Sequence, residues 1–163
     1  MIPSLLVFSL VKEQLQRAKE RFDFKELNGS ITKGEGNLAG AIGEVIAIDY
    51  LESRGGFIKD ESTYDYDFKA NGFKIDVKTK RQNYPPKGDY RVAVSAWNTK
   101  QKCDYYIFCT TLYDYSKVYI NGYFPKKDFF LESTLLRKGD NDINGFVARY
   151  DCHIMENNKL KKI

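Results

Sequence analysis

The chain has 163 residues, of which 42% are hydrophobic and 15% aromatic, and a formal net charge of +4 at pH 7. That length suits one domain with a sizeable core, and the mildly basic balance permits a nucleic-acid partner without the strong excess of a dedicated binder. The lone His153 excludes a multi-histidine metal centre and argues against a histidine-based triad, while Cys103, Cys109 and Cys152 share no metal-ligand spacing and suit a reduced, cytoplasmic protein.

Met1 to Leu10 is apolar but lacks the basic start and small-residue cleavage site of an export signal, and it is too short to span a membrane. Ser9 is placed to cap a helix from about Leu10 to Lys25, with Leu10, Val11, Leu15, Ala18 and Phe22 as its packing stripe. Its charged face, carrying Lys12, Arg17, Lys19 and Arg21, is expected to be solvated. A glycine-rich turn, Lys33-Gly34-Glu35-Gly36, leads into a second helix from Asn37 to about Ser53, stopped by Gly55-Gly56. The middle of this helix is apolar nearly all round, which marks it as buried. Glu44 interrupts that run. A buried carboxylate is costly unless it is paired, hydrogen-bonded or metal-bound, and Gly40, Gly43 and Ala47 beside it allow close packing.

From Tyr64 to Lys80 the chain reads YDYDFKANGFKIDVKTK, two runs of apolar/polar alternation around Asn71-Gly72. That dipeptide favours a two-residue hairpin turn because both central positions need positive φ. The implied register sets Ala70 against Phe73, Phe68 against Ile75 and Tyr66 against Val77 on a core face. On the other face Lys69 meets Lys74, Asp67 meets Asp76, and Asp65 meets Lys78. Two directly opposed carboxylates repel each other unless something neutralises them, and a divalent cation would. Lys78 shares their face, one pleat beyond Asp76. An amphipathic hairpin with a merely solvated face would carry similar charges.

The segment from Arg81 to Tyr90 is a basic, turn-rich loop, in which Lys80, Arg81, Lys87 and Arg91 are candidates for holding a phosphate backbone and Tyr84 for stacking on a base. Strands are expected over Arg91 to Ala96, over Asp104 to Thr111 in the sheet centre, and over Lys117 to Phe124, where Asn121-Gly122 makes a bulge or turn. Trp97 to Lys102 reads as a short connector or helical turn. A helical segment from Pro125 to about Arg137, a polar loop over Gly139 to Asn144, a strand from Phe146 to Met155 and a frayed basic tail from Lys159 complete the chain.

The spacing of Asp67, Asp76, Val77 and Lys78, with a Gly-Glu pair on the upstream helix, resembles the PD-(D/E)XK nuclease superfamily, although Tyr66 stands where that pattern has Pro. The resemblance implies an α/β, restriction-endonuclease-like fold with a central mixed β-sheet flanked by helices. Residues 34–124 would form the nuclease core, 1–33 an N-terminal helical extension and 125–163 a C-terminal helix, strand and tail. It also implies that Asp67, Asp76 and Glu44 hold Mg²⁺ or Mn²⁺, that Lys78 assists the attacking water, and that the substrate is DNA. Three alternatives stand beside this expectation: a catalytically silent nucleic-acid-binding module on the same fold, a Holliday-junction-resolvase-like variant that needs a homodimer, and an unrelated protein-binding domain.

Overall fold

The computed structural model of the chain describes residues 5–27 and 37–163; the turn expected at Lys33 to Gly36 lies outside them. Strand β1 (Leu6–Ser9) and helices α1 (Lys12–Leu27) and α2 (Asn37–Ser53) come first. Then follow β2 (Ile58–Lys59), β3 (Phe68–Ala70), β4 (Phe73–Gln82), β5 (Arg91–Ser95), β6 (Tyr105–Leu112) and β7 (Lys117–Pro125). Helix α3 (Lys126–Glu132), β8 (Thr134–Leu136) and β9 (Cys152–Glu156) close the chain. Six strands form a mixed sheet in the order β1-β7-β6-β4-β3-β2, and β5, β9 and β8 form a separate antiparallel sheet. Among the described residues of the larger sheet, only β4 and β6 run parallel.

Helix α2 has the bounds its sequence implies, and burial of Ala41, Ile42, Val45 and Ile46 explains why it is apolar nearly all round. It covers one face of the larger sheet, meeting Phe68, Ile75, Val77, Ile107, Cys109 and Ile120 in the main core. The opposite face carries a second core of Tyr106, Phe108, Phe124 and Phe129, closed by Val92, Val94 and Met155 of the small sheet. Strand β4 therefore separates two environments, with Ile75 and Val77 towards α2 and Asp76 and Lys78 towards the small sheet. As expected, β6 is central, nearly continuously buried, and flanked by β4 and β7.

The hairpin turns where expected, with φ of 50° at Asn71 and 84° at Gly72, and Phe68↔Ile75, Lys69↔Lys74 and Ala70↔Phe73 pair in the expected register. Beyond Phe68 the register departs from expectation. Asp67 donates its backbone N–H to the Ile75 carbonyl (2.8 Å), so Asp67 and Phe68 stand together against Ile75 as in a β-bulge. One extra residue flips the alternation. Tyr66 accordingly packs on the second core instead of facing Val77, and Asp65 accepts a hydrogen bond from the Lys102 N–H (3.0 Å) instead of facing Lys78. At the hairpin tip Phe73 is exposed rather than core.

Other departures have equally local causes. Leu6 to Ser9 adds a strand to β7, so Ser9 does not cap α1; its hydroxyl meets Lys117 Nζ at 2.6 Å, and Gln14 Oε1 accepts from the Val11 N–H instead. The helix after Pro125 stops at Glu132 because Ser133 is extended (φ −75°, ψ 161°), and Thr134 to Leu136 pair with β9. The last strand is shorter than Phe146 to Met155: only Cys152 onward joins the small sheet, and that sheet also takes β5 away from the larger one. The register slip opposite Phe108 and Cys109 bears out a bulge at Asn121-Gly122. A side chain on Gly122 would press on the Lys161 carbonyl at 2.6 Å, and the C-terminal tail is not frayed there, since Lys161 and Tyr123 exchange backbone hydrogen bonds of 2.9 and 3.0 Å.

Gly43 sets how closely α2 approaches β4, because a Cβ there would overlap Thr79 Oγ1 and stand 3.1 Å from Thr79 Cβ. Gly43→Ala is expected to lower stability by about 1–3 kcal/mol through overpacking. Adding Thr79→Ala should recover part of that loss. Urea denaturation of the single and double variants measures both, and a Gly43→Ala protein as stable as the wild type would show that the helix can shift freely.

Candidate active site

The site is built where β3 ends and β4 continues. Ile75 bonds towards β3, so Val77, two residues on, points its N–H the same way, past the end of that strand. Asp67 Oδ2 accepts this N–H at 2.7 Å. The carboxylate of Asp67 thus arrives at the peptide next to Asp76. Asp67 and Asp76 are 6% and 4% exposed, and both are carboxylates in a largely dry setting.

On the polar face of β4, Lys78 Nζ lies 2.7 Å from Asp76 Oδ2 and 5.7 Å from the centroid of the Tyr106 ring. Gln101 closes this arrangement. Its Nε2 donates to the Tyr64 carbonyl (3.0 Å) and to Asp76 Oδ1 (3.4 Å), while its Oε1 accepts from Lys78 Nζ (3.4 Å). Burial pushes the Cys103 thiol up to about 12, with the Asp76 charge adding to it and Lys126 and Lys78 opposing. The Tyr106 hydroxyl is likewise raised, first by burial and then by Cys103 and Asp76. Both groups are neutral at neutral pH.

Glu44 is reached from the other direction. Arg21 of α1 pairs with Glu44 Oε2 through its Nε, donates to both oxygens of Asp60 (2.6 and 2.8 Å), and reaches the backbone carbonyl of Asp67 at 3.1 Å. Burial alone would lower the pKa of Arg21, but the Glu44 charge and the Asp60 hydrogen bonds outweigh it and raise the group. The charged face of α1 is thus not simply solvated, since Arg17 also makes a two-pronged contact with Asp49 (2.9 and 2.8 Å). Arg21, Asp60 and Gln101 are the residues that sequence reasoning missed. Arg21 follows buried Ala18 by three and precedes Phe22 by one, so helical spacing already put it on the packing side. Gln101 carried no such signal.

The four candidate cations beyond the site divide. Lys80 and Lys87 are exposed, and the protein around the Lys80 stem pulls its ammonium below the usual lysine value against an opposing pull from Asp142. Arg81 is sandwiched between Tyr113 and Tyr115, with its carbon centre 4.7 and 4.6 Å from their ring centroids, and it donates to the Tyr113 carbonyl. Arg91 is paired with Asp142 (2.9 Å) and Glu156 (3.4 Å). Tyr84 is 68% exposed.

Asp67 and Asp76 supply hard oxygen donors beside one peptide, a set that suits Mg²⁺, which takes one or two carboxylates and keeps several waters. Glu44 meets that set through Arg21. Among the described residues, no three His, Cys, Asp or Glu side chains gather as a metal-holding group. The three cysteines are free thiols, and no described helix is long and apolar enough to cross a membrane. Compared with protein-family models and with curated proteins, the chain matches none.

Removing the guanidinium from buried Glu44 should cost about 3–5 kcal/mol, the usual penalty for breaking a buried pair from one side. Arg21→Met is therefore expected to lower the urea midpoint strongly, and Arg21→Met with Glu44→Leu to recover most of the loss. Equal stability of Arg21→Met and wild type would remove Arg21 from this role. A second expectation concerns the turn that sets the bulge. The Tyr66 hydroxyl donates to Glu61 at 2.7 Å and, with Lys59 and Lys69, holds the Glu61 carboxyl at about 2 instead of 4.5. A depressed folded pKa stabilises the fold above the unfolded value, so this contribution is complete above about pH 4.5 and lost as pH falls towards 2. Side-chain NMR titration should find Glu61 rising towards its ordinary value in Tyr66→Phe.

Proposed function

We propose that this protein is a metal-dependent nuclease that hydrolyses DNA phosphodiesters on the polar face of β4. The observation carrying the reading is the contact of Asp76 with Lys78, two positions apart on one strand face at 2.7 Å, beside a peptide that also receives the Asp67 carboxylate. A carboxylate pair and an ammonium at that spacing can hold a metal ion, a water and a phosphate together. The fold that goes with this reading is restriction-endonuclease-like. This is supported by a buried helix, a three-strand meander and a parallel return beside β4.

Asp67 and Asp76 would hold Mg²⁺ or Mn²⁺. When bound, such an ion orients the phosphate and lowers the pKa of its water. Lys78, held against Asp76 and Gln101, is placed to donate to the attacking water or to a phosphate oxygen as negative charge builds. Gln101 contacts both the Lys78 ammonium and the Asp76 carboxylate, which helps hold the two in place. Glu44 acts through Arg21, which ties α2 and α1 to the Asp67 backbone. Lys80 and Lys87 are the cations free to track a DNA backbone, because Arg81 and Arg91 are engaged within the protein.

The test is cleavage of linear, nicked, single-stranded and four-way-junction DNA in Mg²⁺, Mn²⁺ or EDTA. Wild-type protein should cut only with metal, and Asp76→Ala and Lys78→Ala should each lose at least about 100-fold in rate while remaining folded. Cleavage that persists in EDTA, or variants that cut at the wild-type rate, would sink the proposal. DNA binding without cleavage under any metal would make the catalytically silent module the better account.

A further inference from the structure

A groove of about 500 Å³ is lined among others by Cys103, Asp104, Lys126, Lys127, Phe130 and His153, and is linked to the Asp76–Lys78 pair. One residue joins the two places. The Gln101 side chain bonds Asp76 and Lys78, and its backbone carbonyl accepts from Lys126 Nζ. The Tyr106 ring, 5.7 Å from Lys78 Nζ, lies 6.1 Å from the Phe130 ring on the groove wall.

The lining has a mixed chemistry that neither a simple anion nor an apolar ligand would need. Phe130 and His153 meet edge to face, 4.7 Å between centroids at 87°. His153 Nδ1 is engaged with Ser133 Oγ (3.2 Å), which leaves Nε2 for a ligand, and burial keeps the ring below its ordinary pKa. Lys126 spends two of its three N–H bonds on the Thr99 and Gln101 carbonyls, leaving one, and Lys127 is exposed at the rim. Asp104 takes the Lys74 N–H on one oxygen (2.8 Å) and has the other available as an acceptor. An aromatic pair, an acceptor and two ammonium groups match a base and its phosphate.

Resting on the nuclease reading of Asp76 and Lys78, we propose that this groove is the subsite for one unpaired nucleotide next to the scissile phosphate. The base lies against Phe130 and His153, its donor edge meets Asp104, and its phosphate meets Lys127 and the remaining Lys126 donor. A base stacked inside a duplex cannot reach those rings without leaving the stack. The substrate class that follows is DNA with single-stranded character at the cut, such as a single strand, a flap or a frayed end.

The experiment separates this inference from the one beneath it. The full-length protein in EDTA, where no cleavage occurs, is titrated with deoxyadenosine monophosphate, deoxyadenosine and inorganic phosphate while the ring signals of His153 and Phe130 are followed by NMR. The monophosphate should move both rings. Deoxyadenosine should do so more weakly and phosphate not at all, and Lys127→Glu, a surface change, should weaken monophosphate binding about fivefold or more. In Mg²⁺, cleavage of a single strand should exceed that of a blunt duplex by about fivefold or more, the low end of what base stacking contributes, and His153→Gln should narrow the gap. Rings unmoved by the monophosphate, or moved equally by phosphate alone, would overturn the subsite even if the protein cuts DNA. Rings moved by the monophosphate in a protein that cuts nothing would support the nucleotide pocket and overturn the nuclease reading instead.

Discussion

The hydrogen bond from the Val77 N–H to Asp67 Oδ2 sets how the end of the β3–β4 hairpin is arranged. Strand β4 has ten residues and its partner β3 only three, so the ladder ends while β4 still presents buried backbone donors. A buried N–H without a partner costs about 1–3 kcal/mol. Asp67 meets that demand with a side chain in place of a strand, which holds its carboxylate one peptide from Asp76. The same bulge sends Tyr66 to the opposite face, where its hydroxyl reaches Glu61 and its ring lies 5.7 Å from both Lys69 Nζ and Lys74 Nζ. A facing pair in a regular hairpin would have set two carboxylates against each other. The bulge instead gives each one a different polar partner.

Arg21 performs the equivalent task on the α2 side. Glu44 is 4% exposed among aliphatic residues, and a charge in such a place needs a cation held with good geometry. The planar guanidinium can serve Glu44, Asp60 and the Asp67 carbonyl at once, which the single ammonium of a lysine could not do with the same directions. Three segments far apart in sequence are fixed by one side chain: α1, α2 and the bulge. The cost of desolvating Arg21 and Glu44 is offset by this shared contact, and the backbone of Asp67 inherits the rigidity of two helices.

The hairpin tip, α2 and central β6 were legible because each rests on a local signal: positive φ at Asn71-Gly72, an apolar surround, and a continuous buried run. The bulge was not, since Tyr66 and Asp67 continue a perfect alternation and only the short length of β3 breaks it. Nor was the separate small sheet. The alternation in β5 fits either sheet, and its assignment depends on β9, which begins at Cys152, far along the chain from the end of β5 at Ser95. Among the candidate site residues, Asp76 and Lys78 followed from strand period alone, because residues two apart share a face in any register. Glu44 was recognisable as a carboxylate needing a partner, but the partner's identity required tertiary contacts. Arg81 and Arg91 read as free cations until Tyr113, Tyr115, Asp142 and Glu156 were placed beside them.

Period two also explains how a buried apolar face and a charged face share β4 without competing. Ile75 and Val77 lie in the main core, while Asp76, Lys78 and Lys80 project the other way, so each set can change without repacking the other. Both edges of the strand are nonetheless held: by β6 along Ile75 to Gln82, and by β3 and then Asp67 on the other side. A strand pinned on both edges cannot slip by one residue, and a slip of one would exchange its faces and bury Asp76 and Lys78 against α2. The apolar face therefore does more than supply burial. By fixing the register it fixes the separation and direction of the Asp76 carboxylate and the Lys78 ammonium, so the geometry of the polar face is determined by residues that never touch it.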